Sequence, residues 1–507
     1  MVLRLYKSAK YWLNEQLFIK KLNSPLGYLL LIAIALVISY LISSLGLQVG
    51  AALLGLTVGI PIIGACFLNL NFGISILIMT SFFIMQAAKY ANLPFGTVMD
   101  ALIFVMMFGI LVRQIKERDW AFAKNPISYC IMLWIAYNIL QIINPWAGSA
   151  MAWLYTVRSV AVLLSLYYIA CYAFTSLEKI ISAIKLILIL GFVTAVYGIK
   201  QEIFGYTASE INWLYEYEER FQLIFQWGRL RVVSLFADPT TLGIMMVYLS
   251  TFSLILASNS RIDRIKRITL VFFSLCMLLT MAFGGSRTPV VLIPIGLLAW
   301  MLLTLKKSTI ISISIFFVVG LAFMYRSSGN PIIWRIQSAL NFTEDASVKV
   351  RMRNQKFIQP FIQTHPFGGG LGSTGLWGRR FTPNSMLAKF AHDSGFVRIA
   401  VELGIVGMLI YMLFLFVILR TSVYYYLRVK DPLIKSLYLG LTTTIFILMV
   451  ASYPQEAIVQ LPTSIVFYIF LAAIVKLKDF DENFQKPATP AIETEQKTLL
   501  DPSKNIE

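Results

Sequence analysis

Gly395-Phe396-Val397-Arg398-Ile399-Ala400-Val401-Glu402-Leu403-Gly404-Ile405-Val406-Gly407-Met408-Leu409-Ile410-Tyr411-Met412-Leu413-Phe414-Leu415-Phe416-Val417-Ile418-Leu419 is almost wholly apolar. It exceeds the about 20 residues a helix needs to cross a bilayer. Immediately before it lies the longest polar interval of the chain, 326–395. That interval holds both histidines, His365 and His392, with Arg326, Arg335, Arg351, Arg353, Arg379 and Arg380. On its far side another apolar run begins, and runs of this kind then fill most of the sequence.

Composition agrees. Of 507 residues 58% are apolar and 13% charged, with mean hydropathy +0.74. A soluble domain carries about 25% charged residues. The spacing predicts about fourteen spans, near 25–45, 48–68, 70–88, 96–113, 126–144, 157–174, 182–203, 239–257, 268–284, 288–305, 309–325, 395–419, 436–453 and 462–477. The fold class is therefore an all-α integral membrane protein, with about 12–14 transmembrane helices and a large extracytoplasmic loop containing short helices.

The net charge of +18 does not point to nucleic acid, because the basic residues sit in short loops between apolar runs. With the N-terminus inside, the inner loops carry Arg113, Lys116, Arg118 and Lys124, then Lys179, then Arg261, Arg264, Lys266 and Arg267. Lys306 and Lys307 follow, then Arg420, Arg428, Lys430 and Lys435, and finally Lys476 and Lys478. This is the positive-inside pattern of a multi-pass protein with both termini cytoplasmic. It predicts a cytoplasmic amphipathic segment at 1–24 with no cleavable signal and spans in 25–203. A loop at 204–238 lies outside, followed by spans in 239–325 and the large outer loop 326–395. Spans in 396–477 and a disordered tail at 478–507 complete the chain. Cys66, Cys130, Cys171 and Cys276 all fall inside apolar runs without metal-type spacing.

The outer segments are basic too, which the topology rule does not require. In 204–238, an acidic half with Glu210, Glu216, Glu218 and Glu219 gives way to Arg229 and Arg231. Then Asp238-Pro239 opens the next helix. That helix start reads either as a plain cap or as an anion-binding N-terminus. Gly284-Gly285-Ser286-Arg287-Thr288-Pro289 is a tight turn at the outer surface. Its arginine either snorkels to headgroups or meets an anion. In 326–395, Ile332–Leu340 and Val348–Thr364 read as short helices, and His365-Pro366-Phe367-Gly368-Gly369-Gly370-Leu371-Gly372 as a flexible turn. Lys89 and Asp100 stand at span ends with no evident partner and read as structural.

Arginine's planar donor fork fits phosphate. Histidine, with an ordinary pKa of about 6.5, is the usual general base near neutrality. Together on one membrane face they point to group transfer from a phosphorylated lipid, the hydroxyl activated by His and the departing phosphate held by Arg. There is no zinc signature, phosphate-binding Walker loop or nucleophile elbow.

Four elements carry a resemblance. Arg231 with Ser234-Leu235-Phe236-Ala237-Asp238-Pro239, and Phe283-Gly284-Gly285-Ser286-Arg287, are two. Arg351 before His365-Pro366-Phe367-Gly368-Gly369-Gly370-Leu371-Gly372, and Ala391-His392-Asp393-Ser394 through Glu402-Leu403-Gly404-Ile405-Val406-Gly407, are the others. In this order, over roughly 225–425, they resemble the bacterial O-antigen ligase and O-antigen polymerase family. The resemblance implies an inner-membrane glycosyltransferase using no metal, nucleotide or other cofactor. Its donor is a glycan on undecaprenyl pyrophosphate, and its acceptor a glycan, a lipid core or a protein. It implies His392 as the base and Arg231, Arg287 and Arg351 as pyrophosphate ligands, with Arg229, Arg353 and His365 as alternates. Asp393 departs from the family's usual Asn. Ligase and polymerase stay undivided, because both need the same donor site. A transporter or flippase of lipid-linked glycan is the rival reading, and a non-catalytic assembly partner a further one.

Overall fold

The structure, a computed structural model, describes residues 24–45, 47–90, 95–226, 228–325, 346–392 and 394–482. The expectations for 1–23, for a helix at Ile332–Leu340, for Asp393 and for the tail beyond 482 lie outside those residues. The chain forms two units, Met1–Leu68 and Asn69–Glu507. In the first, α1 (Pro25–Leu45) and α2 (Leu47–Leu68) pack on each other.

The second unit holds everything else. Its first five helices are α3 (Leu70–Ala88), α4 (Phe95–Glu117), α5 (Pro126–Leu140), α6 (Ala150–Ala173) and α7 (Leu177–Phe204). After short α8 (Ala208–Tyr215) and α9 (Glu218–Ile224) comes a two-stranded hairpin, β1 (Phe225–Gln226) with β2 (Arg229–Leu230). Then follow α10 (Pro239–Ala257), α11 (Arg264–Gly284), α12 (Arg287–Thr304) and α13 (Lys307–Tyr325). The rest is α14 (Ala346–Thr364), α15 (Gly375–Phe381), α16 (Met386–Lys389), α17 (Gly395–Arg428), α18 (Pro432–Ala451) and α19 (Thr463–Lys476). Among the described residues ten helices are long and apolar enough to cross a membrane. The protein is an all-α integral membrane protein, and each of the expected spans coincides with a helix.

Boundaries differ from expectation at several ends. α11 begins at Arg264 rather than 268 and α17 runs on to Arg428, both through charged residues, while α6 begins at Ala150 rather than 157, behind a Ser149 cap. Chain starts are set by caps instead. Asp238, Asn125 and Asp431 each precede a proline, and each side chain accepts amide hydrogens of the first turn. Along α4, Phe104, Phe108, Leu111 and Ile115 are exposed at helical spacing, a stripe suited to lipid. By contrast α10 is almost wholly enclosed, against α7, α11, α12 and α18.

Contacts sort the connections of the second unit into two ends. At one end, Lys89 Nζ donates to Ser234 O (2.8 Å), Asn144 Nδ2 to Phe367 O (2.9 Å) and the Gly395 amide to Ser452 O (3.1 Å). At the other, Arg261 meets Asp431 at 2.7 Å and the Lys430 amide donates to Asp481 at 2.7 Å. The loop carrying His392 and the loop carrying Arg231 belong to the first end.

Candidate active site

Two of the glycine motifs are halves of one joint. Inside α17, Gly404 takes φ 70°, so the helix breaks there and frees carbonyls that a continuous helix would use. The glycine turn after α14 supplies the missing donors. Gly369 N–H bonds Val401 O (2.8 Å), Gly370 N–H bonds Glu402 O (3.0 Å), and Tyr137 hydroxyl bonds Leu403 O (2.7 Å). The approach leaves no room for a side chain. A Cβ on Gly368 would sit 2.5 Å from the Glu402 carbonyl, and one on Gly404 2.0 Å from Pro366 O.

The Glu402 side chain continues the joint. One oxygen accepts the Gly372 N–H (3.1 Å) and the other the Thr374 hydroxyl. Arg398, one turn earlier, bonds Glu402 at 3.3 Å and reaches across to Glu456 at 2.8 Å. Glu456 lies in the short connection between α18 and α19, and its Oε1 is 2.7 Å from His392 Nε2. Burial pushes the Glu456 carboxyl up, but contact with His392 and the Arg398 charge outweigh it and hold it below its ordinary 4.5. His392 Nδ1 and Glu456 Oε1 are both buried and have no hydrogen-bond partner among the described residues, so the 2.7 Å approach is an ion-pair contact rather than an aligned hydrogen bond. Two carboxylates face one guanidinium here, so the cluster carries a residual negative charge beside the ring. The start of α15 closes one side of the ring, since a Cβ on Gly375 would stand 3.2 Å from His392 Cε1.

Arg231 and Arg287 meet at the α11–α12 junction. Gly285, in the left-handed conformation, ends α11, and Arg287 is the first residue of α12. Arg231 is buried. It donates to Gly284 O (2.9 Å), Leu223 O (3.3 Å), Gln226 Oε1 (3.3 Å) and the Ser286 hydroxyl. Four of its five N–H donors are thus taken by protein. Arg229 is held differently, paired through one nitrogen with both oxygens of Glu202 at 2.5 and 2.6 Å. A further cluster fixes this loop from behind. Lys89 lies 3.8 Å from Glu210, and Gln201 bonds Glu210 (2.8 Å) and the Ser234 amide (2.7 Å). Burial drives the Lys89 amine down to about 8, against the opposing pull of Glu210. Lys89, for which the sequence offers no evident partner, has a buried one, and Asp100 pairs with Arg158 at 3.3 Å.

The connection that holds Glu456 also touches the start of α10. Asp238 caps α10 through Thr241, and the Thr241 hydroxyl also contacts Gln460, four residues from Glu456. On α14, helical periodicity sets Arg351 on the face of Asn354, Ile358 and Ile362, which packs toward α17. Asn354 Nδ2 reaches the Ala391 carbonyl at 3.3 Å. Arg351 is half-buried, whereas Arg353 is exposed on the opposite side. His365 is used structurally. Its Nδ1 is 3.0 Å from Phe361 O, and its ring stacks on Phe361 with Trp146 against the edge.

Sequence reading missed Glu456, Arg398 and the Lys89–Glu210 pair. Arg398 and Glu402 stand four residues apart on one helix, a signal for an ion pair. Nothing local marks Glu456.

Residues 272–412 match the family model described as O-antigen ligase, a family of membrane glycosyltransferases of the ligase and polymerase type. The matched segment contains Arg287, Arg351, His392, Arg398, Glu402 and Gly404; Arg231 and Glu456 lie outside it. No curated protein matches the chain.

Proposed function

We propose that this chain, whose residues 272–412 match the O-antigen ligase family model, transfers a glycan from undecaprenyl pyrophosphate to an acceptor hydroxyl. The acceptor is a glycan, a lipid core or a protein. The end that gathers His392 and the arginines faces away from the cytoplasm of a bacterial inner membrane, with both termini on the cytoplasmic side, a reading supported by the lysine and arginine distribution of the other loops. No metal, nucleotide or other cofactor takes part.

His392 is the base. With Nε2 turned to Glu456, the tautomer that places hydrogen on Nε2 leaves the Nδ1 lone pair free. That nitrogen takes the acceptor's hydroxyl proton. The acceptor oxygen bonds to the anomeric carbon, and the bond from that carbon to the phosphate oxygen breaks. Undecaprenyl pyrophosphate leaves with the electron pair, and a single displacement inverts the anomeric centre. Arg287 and Arg351 hold the leaving charge, aided by the N-terminal end of α12. Arg231, spent on carbonyls and a hydroxyl, sets the junction that presents Arg287. Arg229, Arg353 and His365 have no direct part.

The observation that carries this reading is the 2.7 Å approach of His392 Nε2 to the Glu456 carboxylate, with Nδ1 lacking a hydrogen-bond partner among the described residues. Buried ring nitrogens rarely go unsatisfied without a functional cause. The test is transfer by purified Glu456→Gln protein from lipid-linked glycan in liposomes. The reading expects a slowed maximum rate and a changed pH profile; wild-type behaviour in both would overturn the base assignment.

A further inference from the structure

Beyond Arg351, the same face of α14 carries polar side chains that neither the joint nor the proposed chemistry uses. Gln355, Gln359 and Gln363 repeat at four-residue intervals and line a groove of about 440 Å³. The floor is Ile358, Ile362 and Val397, and the wall is Tyr453, itself 62% exposed. None of the three amides is hydrogen-bonded to another described residue. The volume lies within the about 300–1,000 Å³ of small-ligand sites.

We propose that this groove binds the neutral sugar chain of the acceptor, the glutamine row reading its hydroxyls as the chain leads to His392. The inference rests on the transferase reading above. A sugar hydroxyl both donates and accepts, and a carboxamide does the same. Successive amides, four residues apart, rise along the helix by about 6 Å, on the scale of one pyranose residue in an extended glycan. The apolar floor and the Tyr453 phenol suit the C–H face of such a ring. An anionic chain would be drawn instead to Lys349, Arg353 and Lys356, which lie further round α14 and outside the groove. Chain contacts tie the residues beside the groove to the loop of His392. Asn354 is bonded to the carbonyl of Ala391, next to His392, and Tyr453 adjoins Ser452, which holds the start of α17. The hydroxyl that loses its proton to His392 belongs to the acceptor, so the chain arriving along this groove is the acceptor's.

The probe is the water-soluble polysaccharide released by mild acid from the surface of the producing cells. Its binding to purified full-length protein is measured by saturation-transfer NMR titration. Gln355→Ala/Gln359→Ala/Gln363→Ala is expected to weaken binding at least fivefold and to raise the half-saturating acceptor concentration in transfer more than it lowers the maximum rate. Alanine favours a helix, and an unchanged unfolding midpoint verifies that the fold is intact. Tyr453→Ala should weaken binding in the same direction. Wild-type binding by the triple variant overturns the proposal. His392→Ala separates the two readings: it should bind the polysaccharide as wild type does and transfer nothing. If it still transfers, the base assignment fails while the groove stands.

Discussion

Two charged clusters sit at the same end of the second unit and do different work. Lys89 and Glu210 are one cation and one anion. Their neighbours Gln201 and Gln86 spend their amides on Glu210 and on the backbone of Val233 and Ser234. That cluster holds a loop. The other sets two carboxylates, Glu402 and Glu456, against the single charge of Arg398, and the remainder faces His392. That cluster holds a ring whose other nitrogen is unspent. A balanced buried pair fixes backbone; the unbalanced one surrounds the ring proposed as the base.

The largest effect should come from Arg398→Met. It leaves two carboxylates facing each other, which costs on the order of 3 kcal/mol when a buried pair loses one member. Unfolding in detergent should register that loss, and transfer should vanish with it; a stable, active variant would mean the cluster is not coupled to His392. Next is Glu456→Gln, expected to slow transfer about 100-fold, within the range for losing general-base function, while costing less stability. Its pH dependence has a definite sign. Because the folded-state carboxyl lies below its ordinary 4.5, its stabilisation is fully present above that pH and fades as pH falls through the folded value. The difference in unfolding midpoint between wild type and Glu456→Gln should therefore close on acidification; a difference that widens instead would contradict the ion pair.

Arg351→Lys should lower transfer about tenfold, since an ammonium lacks the bidentate fork. Arg353→Lys, on the exposed side of α14, should leave it within about twofold, as surface changes do. Equal losses would undo the assignment of faces. Lys89→Met should have the smallest effect on rate. It strands Glu210 and lowers stability by about 2–3 kcal/mol, yet the pH profile of transfer should keep its shape, because the loop cluster does not touch the ring. A shifted profile would erase the contrast between the two clusters.

The fold was largely legible because a bilayer imposes length. Apolar runs such as 395–419 have few alternatives to a spanning helix. The gathering of His392, Arg231 and Arg287 at one end was legible from charge alternation. What escaped was whatever depends on contact between distant segments. Glu456 lies 64 positions after His392 in a connection with no motif of its own. Gly404 was visible as part of a glycine pattern, but the reason for it, a helix break filled by the 368–370 amides, exists only once both segments are in place. Arg231 and Arg351 look alike as letters. One is enclosed by carbonyls and a serine hydroxyl, and the other lies half-buried on the helix face that approaches His392.

The central claim is that the His392 ring takes the acceptor's proton. Its most direct test is glycan transfer by purified His392→Ala protein, reconstituted with lipid-linked donor. The account predicts a loss of at least about 100-fold, the usual contribution of a general base, in a protein that still inserts and folds. Transfer at the wild-type rate by that variant would contradict it.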